Sequence, residues 1–260
     1  MYNASTRTAD AWHALFRMLF AELGLRIDIV AHAWPLPLSE LWARDNLACG
    51  FMCGWPFVND TSRRVVPLAV PVPEPASYAG LPRYRSEFLV HRSSEARSLS
   101  EALSGRIGWM AVDSQSGYQA PRAALGALSN SGEPLFSESK GPLHTPARVL
   151  NALNAGEIDL TAVDSFYLDL VRHHAPESIA NLRTVGYTSW TPIPLLVASS
   201  ARPSSEIAAI GEALRALHTM AGYEALMRDV LVRKFIAPDI AAYGTLLELA
   251  KTFPSYDTIR

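Results

Sequence analysis

Apolar segments of strand length alternate with segments of helix length along most of the chain, and this order limits the possible folds more than any other feature. Examples are the strand-like EFLVHR and IDLTAVDS and the helix-like SFYLDLVRHH. Such alternation is typical of α/β proteins with parallel sheets. The sequence therefore predicts two α/β lobes joined by two crossing strands, EFLVHR and PLLVASS, with a ligand cleft between them. Lobe 1 would be discontinuous (residues 1–92 and 194–260), and lobe 2 would be the inserted block of residues 93–193.

Charge and hydropathy exclude several kinds of partner. The 260 residues include 23 Lys and Arg and 25 Asp and Glu, which give a net charge of −2. A nucleic-acid partner calls for a clustered basic face, whereas these charges are scattered. No segment approaches the roughly 20 apolar residues of a membrane span. We therefore expect neither nucleic acid nor a membrane span, while a small anion, which needs only a local site, stays possible.

The first residues and the cysteines bear on compartment and metal binding. The start, MYNASTRTADAW, has no apolar core after a basic end, so the chain as written carries no secretion signal. Cys49 and Cys53 match neither a CxxC redox pair nor a four-ligand zinc site, and there is no H-E-x-x-H motif. We expect two buried thiols, no metal site and no cofactor.

The stretch DSQSGYQAPRAAL places hydroxyl groups and a glycine where a strand ends and a helix begins. The residues at this start are Ser114, Ser116, Gly117 and Tyr118. The first amides of a helix have no partner within the helix, and its dipole adds positive potential there. An anion can bind such a turn without any basic side chain. The alternative is a plain cap, because Ser116 and Gln119 have the spacing of a capping box.

Two further polar residues follow strand-like segments of the same lobe. His144 precedes Thr145 and Pro146, which are typical of a helix cap and first helical position. Asp164 ends IDLTAVD, and it can accept a hydrogen bond from a ligand or cap the next helix. Ligands of open α/β sheets bind at the carboxyl ends of strands, so we expect all three edges to face the cleft. Trp55 and Tyr84 can form an aromatic wall there, or can pack within their own lobe.

Taken together, these segments resemble the periplasmic phosphate/phosphonate-binding proteins of ABC transporters. The likeness rests on an ordered set: YRSEFLVHRSS, SLSEALSGRIGWMAVDSQSGYQAPRAAL, HTPARV and NAGEIDLTAVDS. It implies a type 2 periplasmic-binding fold, in which two lobes close on a small ligand by a hinge motion. The residues implied to hold the anionic head are Ser114, Ser116, Gly117 and Tyr118, with help from His144. The rest of the ligand would lie against Asp164, Trp55 and Tyr84.

The resemblance also implies a function: a monomeric binding protein, not an enzyme, that delivers a phosphate-, phosphonate- or phosphite-like anion to ABC transporter permease subunits. The chain departs from the family pattern in two ways. Phe166 and the neutral TSWTPIPLL stand where known phosphonate binders use acidic groups to bind an amino group, so we expect a ligand without an ammonium or a different ligand altogether. The family's secretion signal is absent, which predicts either a natural start upstream of Met1 or a cytoplasmic location.

Two other functions are compatible with the sequence. The same fold can bind an aromatic or heterocyclic metabolite, such as a thiamine-pathway pyrimidine, stacked on Trp55 and Tyr84, either as a binding protein or as an enzyme. A serine hydrolase is the weaker alternative, because SQSGY is not the G-x-S-x-G nucleophile elbow.

Overall fold

The computed structural model describes residues 1–32, 35–62, 64–129 and 134–251, which form helices and short strands. The strands are β1 (Gly50–Met52), β2 (Val65–Pro73), β3 (Arg83–Tyr84), β4 (Ser86–His91), β5 (Ser104–Gly108), β6 (Phe136–Lys140), β7 (Leu160–Asp164), β8 (Leu182–Tyr187), β9 (Thr191–Pro192), β10 (Leu195–Ser199) and β11 (Val232–Ile236). The α-helices are α1 (Thr6–Glu22), α2 (Leu38–Trp42), α3 (Gly54–Asn59), α4 (Ala120–Gly126), α5 (Pro146–Asn154), α6 (Ser165–His174), α7 (Ser204–Ala216), α8 (Glu224–Asp229) and α9 (Ile240–Lys251). Short 3-10 helices lie at Ala76–Tyr78, Ser100–Ala102, Pro176–Ile179 and Leu217–Thr219.

The chain divides into two compact units. The first contains Met1–Arg83 and Pro192–Ala242, and the second contains Tyr84–Thr191 with the described residues from Tyr243 to Lys251. Strand β4, which the sequence assigns to lobe 1, belongs to the sheet of the second unit, because it pairs with β7 and β8. The chain passes from one unit to the other at three points: within β3, within β9, and between Ala242 and Tyr243 in α9.

The sheet of the first unit has the order β1–β10–β2–β11, and its neighbouring strands are antiparallel. The expectation of parallel strands is wrong here. The prolines of β2 predict an edge strand or a strand end. Pro73 is the last residue of β2, but the strand lies between two neighbours rather than at an edge. The sheet accommodates Pro67 and Pro73 because each faces a partner strand at a point where the register shifts, and bulges are the places in a sheet that tolerate proline.

The sheet of the second unit has the order β6–β5–β7–β4–β8. Strand β5 runs parallel to β6 and β7, whereas β4 is antiparallel to β7 and β8. The parallel arrangement predicted from the sequence is confirmed for these three strands. Their carboxyl ends therefore meet at one edge, and β4 begins at that same edge because it runs in the opposite direction.

One hydrophobic core cluster of the second unit lies on one face of this sheet. Phe88, Ile107 and Leu160 are at most 1% exposed and belong to one cluster with Leu125 of α4. The cluster anchors α4 against the strands, so the segment between β5 and α4 has a rigid support. None of the helices in the described part of the chain is both long enough and apolar enough to cross a membrane.

Candidate functional site

Three chain segments meet at the carboxyl edge of the parallel strands in the second unit. Met110, after β5, donates its backbone N–H to the carbonyl of Gly117 (3.2 Å), and its own carbonyl accepts from the N–H of His144, after β6 (2.8 Å). On the other side, the hydroxyl of Ser86 donates to the carbonyl of Ser116 (2.7 Å). Since Ser86 is also the register partner of Asp164 at the end of β7, these contacts gather the three polar edges named from the sequence.

The helix after β5 begins with Ser114 as its cap. The Ser114 hydroxyl accepts a hydrogen bond from the Gly117 N–H at 3.0 Å. The first turn, Gln115–Gln119, is π-helical: Gln119 donates to the carbonyl of Ser114 (3.0 Å), and Ala120 donates to that of Gln115. This turn continues directly into α4. A capping box of Ser116 and Gln119 would make Ser116 the cap, but the cap in the structure is Ser114, two residues earlier. π-Helical turns occur frequently at functional sites.

Pro121 explains how this turn is held against its neighbours. A proline has no N–H, so the carbonyls four and five residues earlier receive no hydrogen bond from it. These are the carbonyls of Gly117 and Ser116, and they accept instead from the Met110 N–H and the Ser86 hydroxyl. The proline therefore leaves two acceptors available, and both connect the helix start to the sheet edge.

The donors left at this helix start are the backbone N–H groups of Gln115 and Ser116. Neither N–H has an acceptor among the described residues, and the Ser116 hydroxyl makes no hydrogen bond to them either. Ser116 is 8% exposed. Two amides and a hydroxyl in a largely buried position, at the positive end of a helix, are a set of neutral donors suited to an anion.

Gly117 and Tyr118 have packing roles in the structure. A Cβ on Gly117 would lie 2.3 to 2.9 Å from side-chain atoms of Met110, so the glycine allows the loop and helix to pack closely. Tyr118 is buried in the core cluster, with its ring 5.1 Å from that of Trp109 in an edge-to-face contact. The resemblance implies that Gly117 and Tyr118 hold the ligand. In the structure, each residue also packs against its neighbours in the fold.

Gln119 does not close a capping box. Its Nε2 donates to the carbonyl of Val112 (2.7 Å), and its Oε1 accepts from Arg122 (2.9 Å). Arg122 in turn donates to the carbonyl of Ala250 in α9 (2.8 Å). The capping-box alternative is therefore wrong in its residues, although capping itself is present through Ser114.

His144 is exposed, and its backbone lies in the left-handed region with φ of 68°. Histidine is among the residues that enter this region more often than most. The next residue, Thr145, caps α5 by accepting from the Arg148 N–H (3.3 Å), and Pro146 is the first helical residue. The sequence prediction of this helix start is confirmed.

Asp164 caps α6, as one of the two sequence interpretations predicts. Its Oδ1 accepts hydrogen bonds from the backbone N–H groups of Phe166 (2.7 Å) and Tyr167 (3.0 Å). The side chain is 5% exposed. Burial, followed by the nearby Asp164 charge, raises the pKa of Tyr167 to about 12. The carboxylate therefore has a defined structural task at the edge of the sheet.

We expect Asp164→Ala to lower the free energy of unfolding by about 1 to 2 kcal/mol, because two helix N–H groups lose their acceptor. Asp164→Asn keeps an acceptor oxygen and should lose much less. Chemical denaturation of both variants measures the difference. Equal losses in the two variants would mean that the charge, rather than the cap, is the stabilising feature.

The two aromatic residues expected in a ligand wall differ in their surroundings. Tyr84 is fully buried, with 0% exposure. Trp55 is half-buried in the first turn of α3, in the first unit. Arg85, the residue after Tyr84, stacks its guanidinium on two other aromatic rings. It lies 3.6 Å from the ring centroid of Tyr187 and 4.5 Å from that of Trp190. Sequence spacing does not indicate these contacts.

The described ranges contain no group of three His, Cys, Asp or Glu residues placed to hold a metal ion. Cys49 is half-buried and Cys53 is buried, and no disulfide joins these two thiols.

Comparison with known proteins identifies the family. Residues 2–243 match the family described as ABC transporter, phosphonate, periplasmic substrate-binding protein. The chain belongs to this family. Its members are periplasmic substrate-binding components of transporters rather than enzymes. No curated protein sequence matches the chain significantly.

Solved structures show the same two-lobed periplasmic-binding fold at low sequence identity. A binding-protein component of an ABC phosphonate transporter (PA3383) from Pseudomonas aeruginosa is 15% identical with a TM-score of 0.78, covering 94% of this chain and 81% of that chain. PhnD1 from Prochlorococcus marinus, in complex with methylphosphonate, is 14% identical with a TM-score of 0.76, covering 95% and 93%. XAC2383 from Xanthomonas citri, bound to ATP, is 16% identical with a TM-score of 0.65, covering 95% and 92%.

Proposed function

We propose that this phosphonate-family protein binds a small tetrahedral oxyanion of the phosphonate, phosphate or phosphite type and delivers it to an ABC transporter without chemical change. The observation that carries the proposal is the pair of unpartnered backbone N–H groups at Gln115 and Ser116, in the first turn of the helix that follows β5. The periplasm is the expected compartment, and permease subunits are the expected partners.

Neutral donors at a helix start favour an oxyanion over other ligands. They replace the water molecules around the anion, and the helix dipole adds positive potential without an ion pair. Ser116 adds its hydroxyl. Ser114 uses its oxygen as an acceptor for the Gly117 N–H, and a serine hydroxyl still has its proton to donate. We propose these donors of Ser114, Gln115 and Ser116 as the head-group contacts.

Other residues of the edge support this turn. His144 is exposed beside it and can add a donor to the anion. Tyr118 and Gly117 hold the turn through packing, and Asp164 holds the adjacent helix start. An aromatic ligand stacked on both Trp55 and Tyr84 is less well supported, because stacking needs an accessible ring face and Tyr84 has 0% exposure.

Thermal unfolding with a ligand panel tests the proposal. The panel contains methylphosphonate, aminoethylphosphonate, phosphate, phosphite, sulfate, ATP and a thiamine-type pyrimidine. A ligand at about 100 times its Kd adds about 2.7 kcal/mol, which raises the midpoint by about 5 to 10 °C for a chain of this size. We expect that shift with at least one phosphorus oxyanion and none with the pyrimidine.

Ser116→Ala should abolish most of the shift, since it removes a donor from a buried anion. Ser137→Ala is the matched control, because Ser137 is an exposed serine on β6 of the same unit. A shift produced only by the pyrimidine, or one unaffected by Ser116→Ala, would contradict the proposed anion site. Turnover of an ester substrate that disappears in Ser116→Ala would instead revive the hydrolase alternative.

A further inference from the structure

Gln115 has a buried carboxamide with no hydrogen-bond partner in the part of the chain that the structure describes. Its side chain is 0% exposed, and both Oε1 and Nε2 are buried and make no hydrogen bond to any described residue. Most buried polar side-chain atoms in native proteins have at least one partner, and each exception calls for an explanation. A carboxamide has two donors and an accepting oxygen, and the described residues use none of this hydrogen-bonding capacity.

Gln119, one helical turn later, provides an internal comparison. It is the same residue type, is also buried (7% exposed), and lies four residues along the same helix. Both ends of its carboxamide are bonded, Nε2 to the carbonyl of Val112 and Oε1 to Arg122. The segment can therefore satisfy a buried glutamine, and the difference between the two residues indicates that the partner of Gln115 lies outside the described part of the chain.

The position of Gln115 indicates where that partner lies. It is the first helical residue, and helical side chains lean toward the N-terminus of their helix. A carboxamide that follows this tendency lies close to the helix start, where the N–H groups of Gln115 and Ser116 lack acceptors among the described residues. The unpartnered side chain and the unpartnered amides mark one site.

Gln115 adds to this site a carboxamide oxygen, which accepts hydrogen bonds and cannot donate them. The backbone amides and the hydroxyls of Ser114 and Ser116 can all donate to an oxyanion. A protonated oxygen on the ligand also needs an acceptor. Asp164, expected from the sequence to serve as that acceptor, caps α6 by accepting two N–H groups with Oδ1.

We propose that Gln115 is a specificity-determining residue: its Oε1 accepts the hydrogen of a protonated ligand oxygen, while its Nε2 donates to an adjacent ligand oxygen. This inference rests on the proposed function. The site then selects a monoprotonated tetrahedral oxyanion, such as methylphosphonate with one P–OH, over its fully deprotonated form. It also selects against sulfate, which carries no proton near neutral pH.

Calorimetric titration of the full chain with methylphosphonate and with sulfate tests the assignment, across the pH range in which the phosphonate loses its last proton. The unmodified protein should bind methylphosphonate more weakly as pH rises and should discriminate against sulfate. Gln115→Met, similar in length but without donor or acceptor, should weaken methylphosphonate binding about 10- to 100-fold and flatten the pH dependence. Its ligand-free unfolding midpoint should rise, because no polar group is left buried without a partner.

Two outcomes separate this assignment from the proposed function. Absence of binding by the unmodified protein to any phosphorus oxyanion overturns the proposed function and the assignment with it. Binding by Gln115→Met with unchanged affinity and unchanged pH dependence overturns the assignment alone. If Gln115→Met does not fold, the unmodified protein still decides: affinity that rises with pH, or a preference for sulfate, overturns the role of Gln115.

Gln119→Met is the control for general damage to the helix. It removes the bonds to Val112 and Arg122, so its ligand-free midpoint should fall, opposite in sign to that of Gln115→Met. A fall of the midpoint in both variants would show that Gln115, like Gln119, serves the fold, and would overturn the assignment.

Discussion

Replacing Gly117 with alanine is expected to lower the free energy of unfolding by about 2 to 3 kcal/mol, because it overpacks a close contact. The new Cβ would lie 2.8 Å from Cβ and 2.9 Å from Cγ of Met110, as well as 2.3 Å from its terminal methyl group. The terminal methyl group can rotate away, but the inner atoms follow the backbone. That backbone is bonded to Gly117 and to His144, so it cannot withdraw without breaking the sheet edge.

The same substitution should weaken anion binding, since the displaced backbone carries the N–H groups of the proposed site. Gly244→Ala is the control, because Gly244 is exposed in α9 and no atom lies within 4 Å of the Cβ that alanine would add. There, alanine should stabilise the helix by about 0.5 to 1 kcal/mol. Urea denaturation of both variants provides the comparison. A Gly117→Ala protein as stable as the unmodified chain would show that Met110 yields easily.

Replacing Arg172 with methionine is expected to have a comparable effect, a loss of about 3 kcal/mol, because it leaves a buried carboxylate without its cation. Glu87, in β4, is 4% exposed. It accepts from Arg172 through both oxygens, at 2.9 and 2.7 Å, and from the Thr184 hydroxyl at 2.6 Å. The hydrogen bond to Glu87 is the main cause that raises the pKa of Arg172 above its usual range.

The loss in Arg172→Met should come from the buried Glu87 carboxylate, which keeps its charge without a cation beside it. Adding Glu87→Gln should recover much of the stability at neutral pH. Lys251→Met, in an exposed pair with Glu248, should change nothing measurable. A double variant, Arg172→Met with Glu87→Gln, that is no more stable than Arg172→Met alone would contradict an unpaired carboxylate.

Local sequence patterns predict the parts of this protein that depend on neighbours along the chain. Strand-like IDLTAVDS and helix-like SFYLDLVRHH correspond to β7 and α6, and the Thr145–Pro146 helix start has the expected cap. Periodicity and capping act within a few residues, so they are visible in the sequence. The order of several motifs along the chain also indicated the family, because a set of motifs in a fixed order is more specific than any one short motif.

Strand direction and the exact helix start depend on contacts between distant segments. The alternation of strands and helices does not reveal that the first unit has an antiparallel sheet, because β2 and β10 are separated by the whole inserted part of the second unit. The helix start at Ser114, instead of Ser116, depends on Pro121 leaving two carbonyls that Met110 and Ser86 reach from other segments.

The sequence by itself determined the α/β class, the family and the turn that holds the candidate site. Those features follow from local propensity and from motif order along the chain. Only the tertiary structure decided that Asp164 is occupied as a helix cap while Gln115, in the quoted helix-start motif, is buried without a partner among the described residues. The physical reason is that hydrogen-bond satisfaction is a property of the folded surroundings: whether a polar atom has a partner depends on residues that lie far away in sequence.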